Sequence, residues 1–218
     1  TVAEARQEIL ARFGGWPRPA GAPPRVAEAA PGPPPREEAV ARDLTQSTIM
    51  LGRQAIRQTN PDYFPLVVAS YVLGGGSASR LYVRVREEGG LAYTVYSYVS
   101  PSKYGSAFIV SAQTRTAEVP RVTAILREEL LRMTRAPVTD AELSLAKSYL
   151  IGSFPLRLDT SGKVADFVGA TEELGLGLDY ADRYKERVGR VTAQDVLRVA
   201  RKYFDPEAFN RVVVGKAP

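Results

Sequence analysis

Apolar residues set the elements before anything else is considered. Val2, Ala5, Ile9 and Phe13 recur at helical spacing and stop at Gly14-Gly15-Trp16-Pro17, which predicts a short amphipathic helix ended by glycine. Leu44, Ile49, Leu51 and Ile56, set among Thr and Gln, predict a strand over 43–57. Asn60-Pro61-Asp62 is a helix-start signal, and the almost unbroken apolar run over 63–73 predicts a helix buried against a sheet. Gly74-Gly75-Gly76 ends it, after which Ser77 or Ser79 caps a second helix over 80–88 that Gly89-Gly90 closes. Residues 91–99 and 105–114 alternate Val, Ile, Tyr and Ser around Ser100-Pro101-Ser102-Lys103 and predict a hairpin. Four helices follow over 118–135, 139–158, 161–174 and 180–188. A fifth, over 192–204, opens with the capping pattern Thr192-x-x-Asp195, and Arg211-Val212-Val213-Val214 is a last strand. This order predicts an α+β fold, a mostly antiparallel sheet with helices packed on one face.

Composition then divides the chain. Residues 17–36 carry eight of its 16 prolines, and such a stretch can neither hold a helix nor donate a ladder of hydrogen bonds. Residues 1–16 therefore read as the terminal helix of a preceding domain or an N-terminal extension, 17–36 as a proline-rich linker, and 37–218 as a C-terminal domain. The 218 residues include no Cys and no His, which excludes a disulfide framework, thiolate or imidazole zinc ligation, and Ser-His or Cys-His nucleophilic chemistry within the chain. The net charge of 29 − 24 = +5 is spread among interspersed charges such as Lys185-Glu186-Arg187, a pattern that argues against a nucleic-acid partner. No span approaches the ~18 apolar residues of a membrane helix. The chain begins at Thr1 without a Met, as an internal fragment or a processed product would, and its composition leaves the compartment open.

Most short motifs have bland readings. Ser144-Leu145-Ala146-Lys147 has the S-x-x-K spacing of serine acyl-enzymes but lies inside a helix with no S-D-N or K-T-G partner. Gly74-Gly75-Gly76-Ser77 lacks the Walker lysine and reads as a glycine-rich turn between two helices. Glu87-Glu88, Glu128-Glu129 and Glu172-Glu173 point in different directions on a helix and are expected on solvated faces. The segment 73–97 is different. It places Arg86 near a helix end and Tyr93 at a strand start, with Gly89-Gly90 permitting the turn that would let a guanidinium and a phenol converge. Both groups donate hydrogen bonds and suit a carbonyl oxygen on which negative charge develops. The alternative is that Arg86 pairs with an acid such as Glu88 while Tyr93 packs in the sheet.

Leu73-Gly74-Gly75-Gly76, Ser79-Arg80-Leu81, Arg86-Glu87 and Gly90-Leu91-Ala92-Tyr93 together resemble the C-terminal half of insulinase/pitrilysin-type zinc metallopeptidases, the inverzincins. The similarity is greatest to bacterial two-domain members and mitochondrial processing peptidase subunits. Looser similarity extends over roughly 42–214, through Asn60-Pro61-Asp62-Tyr63 and Thr139-Asp140-Ala141-Glu142-Leu143, and Phe13-Gly14-Gly15-Trp16-Pro17 resembles the tail of a preceding family domain. In that family an N-terminal domain carries H-x-x-E-H and binds zinc. A chain without His departs from that pattern, so the resemblance implies the non-zinc half of an endopeptidase, inactive alone. Zinc is then expected on a partner domain or subunit, an extended peptide as substrate, and a dimeric assembly. It further implies that Arg86 and Tyr93 hold the substrate backbone. Gly74, Gly75 and Gly76 form a turn shorter than the glycine-rich loop of the noncatalytic processing-peptidase subunit. The competing expectation is a proteolytically inactive structural subunit of the same fold.

Overall fold

Residues that alternate in and out of a sheet account for the centre of the molecule, in a computed structural model that describes residues 1–17, 20, 21, 30, 32 and 34–216. Five strands, β1 (Glu37–Ala41), β2 (Ser47–Gln54), β3 (Ala92–Ser100), β4 (Ala107–Thr114) and β5 (Asn210–Gly215), form one sheet in the order β1-β5-β2-β4-β3. Only β1 and β5 run parallel; every other pair is antiparallel. Ile49 and Leu51 of β2, Val95 of β3 and Phe108, Val110 and Ala112 of β4 turn to one face and are buried.

The helices covering that face are α2 (Tyr63–Gly74), α3 (Val119–Arg135) and α7 (Ala193–Tyr203). α2 is apolar on nearly every side and sits between β3 and α7, so Leu66, Ala69 and Leu73 are fully enclosed. α3 and α7 are amphipathic and bury one stripe each, Val122, Leu126, Leu130 and Met133 on the first and Val196, Val199 and Ala200 on the second. Phe108 stacks on Phe204 with centroids 4.7 Å apart, joining sheet and helices at the centre. Each such side chain removed from water stabilises the fold by about 1.5–3 kcal/mol. The helices α4 (Asp140–Ser153), α5 (Ser161–Glu173) and α6 (Tyr180–Arg190) form an outer group beyond α2, and α1 (Val2–Phe13) buries none of its residues.

The α+β architecture is as the sequence predicts, with four local differences. The strand placed at 43–57 is shorter, and Leu44 lies outside it, 46% exposed. A short strand, β1, was not anticipated: its Glu37-Glu38-Ala39-Val40-Ala41 sequence carries no alternation of its own, and pairing with β5 creates it. The helix expected over 139–158 ends at Ser153 and continues as a 3₁₀ turn, Phe154–Arg157, because Pro155 has no N–H to donate to the carbonyl of Ile151 one turn back. The helix expected over 80–88 is a π-helix, Tyr82–Glu87. The proline-rich stretch over 17–36 falls mostly outside the described residues.

Candidate functional site

The wider spiral of the π-helix separates the two arginines that follow Tyr82. The Glu88 N–H donates to Val83 O at 2.9 Å, five residues back rather than four. Arg84 turns inward against α3, where Nη1 donates to Glu129 Oε1 at 2.6 Å and Nη2 to Glu128 Oε2 at 3.1 Å. Glu129 is completely buried and also accepts from Arg132 at 2.7 Å, so the expectation that Glu128-Glu129 is a solvated pair fails at its second member. Arg86 is left facing two rings, its guanidinium carbon 4.6 Å from the centroid of Tyr93 and 4.9 Å from that of Tyr82. Among the described residues it has no carboxylate partner, Glu88 included.

The turn between them depends on Gly90, whose φ of +56° is left-handed and costs other residues about 1–2 kcal/mol. Its N–H donates to Arg86 O at 3.1 Å, and the next, that of Leu91, to Val85 O at 2.9 Å. Thr114 Oγ1 donates to Leu91 O at 2.6 Å, which anchors the start of β3 to the end of β4. There Ala92 faces Thr114 and Thr94 faces Gln113, so Tyr93 is an extra residue with no partner across the ladder. Such a bulge re-aims its side chain, and Tyr93 stands 75% exposed. Guanidinium and phenol thus share one surface, the ring of Tyr93 stacked beneath Arg86. π-helices and bulges both concentrate at functional sites, because each interrupts a regular element at a cost that the surrounding structure must support. The sequence anticipates both residues but neither irregularity.

The other sequence candidates lie elsewhere. Gly74 is the last residue of α2, and a Cβ there would approach Ser97 N to 2.6 Å, so glycine lets the helix touch β3. Gly75 and Gly76 lie against the Tyr71 side chain. Ser144 is on the exposed side of α4, and Lys147 Nζ donates to Gly189 O at 2.8 Å, a helix–helix tie rather than a serine activator.

One feature escaped the sequence reading. The sheet face opposite the helices carries Met50, Tyr96 and Tyr98, each about 40% exposed, with the Tyr96 and Tyr98 rings 5.9 Å apart. Tyr at alternate positions of β3 was its available signal, since the intervening Val95, Ser97 and Val99 already supply the inward face. A zinc ion does not fit this chain. It has neither His nor Cys, and among the described residues no three acidic side chains converge. Among the same residues no helix is long and apolar enough to cross a membrane.

The chain is thus an α+β layer with an exposed Arg/Tyr pair and, among the described residues, no cluster of metal-ligating side chains. The family description that matches residues 1–150 is "Peptidase M16 inactive domain", and the chain belongs to that family. It is 35% identical over 166 residues to an uncharacterized zinc protease of Streptomyces coelicolor, covering 76% of this chain and 36% of that protein. Over 161 residues it is 27% identical to a non-peptidase homolog of Helicobacter pylori, covering 73% and 37%. In structure it is similar to a peptidase M16 inactive domain from Pseudomonas fluorescens, with TM-score 0.79 and 24% identity, covering 90% of this chain and 48% of that one. A protease from Helicobacter pylori gives TM-score 0.80 at 20% identity, covering 99% and 52%. The chain thus spans well under half the length of the curated relatives it matches.

Proposed function

We propose that the chain is the substrate-holding half of a zinc endopeptidase, acting with an H-x-x-E-H-bearing domain or subunit of the same family. The observation that carries this reading is the Arg86 guanidinium, unpaired with any described carboxylate and lying on the exposed ring of Tyr93. A structural arginine is normally neutralised, as Arg84 is by Glu129 and Arg80 by Glu142. An arginine left on an aromatic surface keeps its N–H donors available. Arg86 and the Tyr93 hydroxyl donate to a carbonyl oxygen of an extended peptide, positioning the backbone and favouring the oxyanion that develops there. The open sheet face with Met50, Tyr96 and Tyr98 gives such a peptide an apolar surface to lie on. Names of relatives support zinc-protease membership, and the zinc belongs to the partner half.

The test is made in the assembly with the zinc-bearing half. Arg86→Ala and Tyr93→Phe should each lower kcat/KM by about 100-fold, the loss typical of one oxyanion donor. Thermal stability should hardly change, because Tyr93 is exposed and its variant keeps the ring. Near-normal hydrolysis by both variants would return the pair to a structural role. The chain alone should retain no zinc after dialysis and cleave no peptide. The second reading, an inactive assembly subunit, draws on the non-peptidase homolog of Helicobacter pylori. It is favoured instead if the assembly has no peptidase activity for either substitution to reduce.

A further inference from the structure

Away from the Arg86/Tyr93 surface, on the helical side of the sheet, a cavity of about 400 Å³ lies between α2, the end of β3 and the outer helices. That volume falls in the ~300–1,000 Å³ range of small-molecule sites and is far larger than an ordinary packing void. Its walls are aromatic, with Phe64, Phe167, Tyr180 and Tyr184 among them. Tyr184 stacks at 4.2 Å on Phe154 and meets Phe64 edge-on at 5.7 Å.

One polar group in this wall lacks the partner it should have, and one charged group stands exposed at its rim. Gln58 Nε2 donates to the Tyr180 hydroxyl at 2.6 Å, but Gln58 Oε1 is buried with no donor among the described residues. A buried unsatisfied carbonyl costs about 1–3 kcal/mol, so a donor supplied from outside would be favourable. Arg157, an exposed residue on the 3₁₀ turn after α4, reaches over the rim with its guanidinium 5.8 Å from the Phe154 centroid and 5.9 Å from that of Tyr184, and no described carboxylate pairs with it. Burial pushes the phenols of Tyr63, Tyr180 and Tyr184 upward, so they stay neutral and leave Arg157, at the rim, the charged group of the lining. The cover over the cavity is thin. α5 contributes Phe167, Ala170 and Thr171 to the lining, yet Thr171 alone among its residues is buried. A helix held by so little burial opens locally at low cost, which gives a ligand a way in.

We propose that this cavity binds a small aromatic carboxylate carrying a ring or backbone N–H: the ring lies among Phe64, Phe167 and Tyr184, the N–H donates to Gln58 Oε1, and the carboxylate pairs with Arg157. The same chemistry is offered by a free indole or phenol acid and by the C-terminal aromatic residue of a peptide. The site shares no residue with the Arg86/Tyr93 pair and stands whether or not that pair handles substrate.

Calorimetric titration of the chain with indole-3-acetate, and with N-acetyl-Ala-Trp beside its C-terminal amide, separates the two sources. Saturable one-to-one binding is expected from indole-3-acetate, from the free-acid peptide, or from both, and none from the amide. Arg157→Gln should weaken the active probe about tenfold, the loss of one charge-assisted pair. Ala170→Trp, which fills the cavity from the exposed helix α5, should abolish binding while leaving the thermal midpoint near that of the parent. No binding by either acid, or affinity unchanged in either variant, would overturn the proposal.

Discussion

Gly74 and Glu129 show how a single residue can carry a constraint that no periodicity announces. Gly74 ends a helix in the sequence pattern, and it does end α2, but its stronger role is the contact with β3. With Ser97 N only 2.6 Å from where a Cβ would stand, Gly74→Ala must push helix and strand apart. The expected cost is roughly 1–3 kcal/mol, read as a lower thermal midpoint, and an unchanged midpoint would show that the contact relaxes freely. Glu129 is the converse case, a charged residue with no exposure, held by Arg84 and Arg132. Glu129→Ala should cost about 3 kcal/mol, because it empties a fully buried site and leaves the Arg84 guanidinium to Glu128 alone. Denaturant unfolding checks this, and a loss below 1 kcal/mol would mean that Glu128 by itself satisfies Arg84. Neither burial was legible in the sequence, since a Glu-Glu pair on a helix looks the same whether or not an arginine from a distant element covers it. Arg86 and Tyr93 were legible because the glycines between them announce the turn, whereas the π-helix and the bulge arise from hydrogen bonds that periodicity does not encode.

At the scale of elements, the legible parts are those with local signals. Thr139 and Thr192 cap α4 and α7 with full capping boxes, to Glu142 and Asp195, and the five long elements 63–73, 91–99, 105–114, 118–135 and 192–204 all appear close to where their patterns place them. The parts that periodicity does not announce depend on distant partners, as β1 does on β5, or on Pro155, whose missing N–H ends the α ladder of α4. The capping box of α4 has a second connection. Glu142 also accepts from Arg80 at 2.7 and 3.1 Å, tying α4 to the segment that leads into the π-helix. Burial alone would raise the Glu142 carboxyl, but the Arg80 and Thr139 hydrogen bonds outweigh it and hold it below the usual carboxylate range. The Thr192 hydroxyl, with Arg198, does the same for Asp195, and Arg198 and Lys202 overcome burial at Asp62. A depressed folded pKa stabilises above the unfolded value and loses that contribution as pH falls through the folded one. The thermal midpoint should therefore drop below about pH 4, where unfolded carboxylates take up protons. Glu142→Gln should cost roughly 1–3 kcal/mol at neutral pH and flatten the acid slope. A variant with the parent's slope would remove Glu142 from the acid response.

For the whole molecule, the question is where the folded unit starts. α1 has a well-formed capping box from Thr1 to Glu4, yet Val2, Ile9, Leu10, Phe13 and Trp16 are all at least half exposed, and nothing in the helix is buried. It contributes local hydrogen bonds and almost no hydrophobic stabilisation to the domain. β1 is different in kind. It supplies a full parallel ladder along β5, from Glu37 opposite Arg211 to Ala41 opposite Gly215, and Arg211 Nη2 donates to Glu37 Oε2 at 2.5 Å. Arg127 also pairs with Glu37, at 3.5 Å, from α3. Without β1 the edge of β5 would be open, a row of unpaired backbone groups prone to pair with another chain. The domain is thus expected to begin at β1, at residue 37, rather than at β2. Two truncations separate these positions. A chain starting at residue 34 should keep the parent's thermal midpoint within about 2 °C, because a shift of that size is worth less than ~1 kcal/mol in a domain of this length. A chain starting at residue 43 should melt clearly lower and associate at high concentration through the exposed β5. If the shorter chain matched the longer one in both midpoint and mass, β1 would be an appendage and the folded unit would start at β2. If removing residues 1–33 already lowered the midpoint by several degrees, α1 would have to dock on the domain after all.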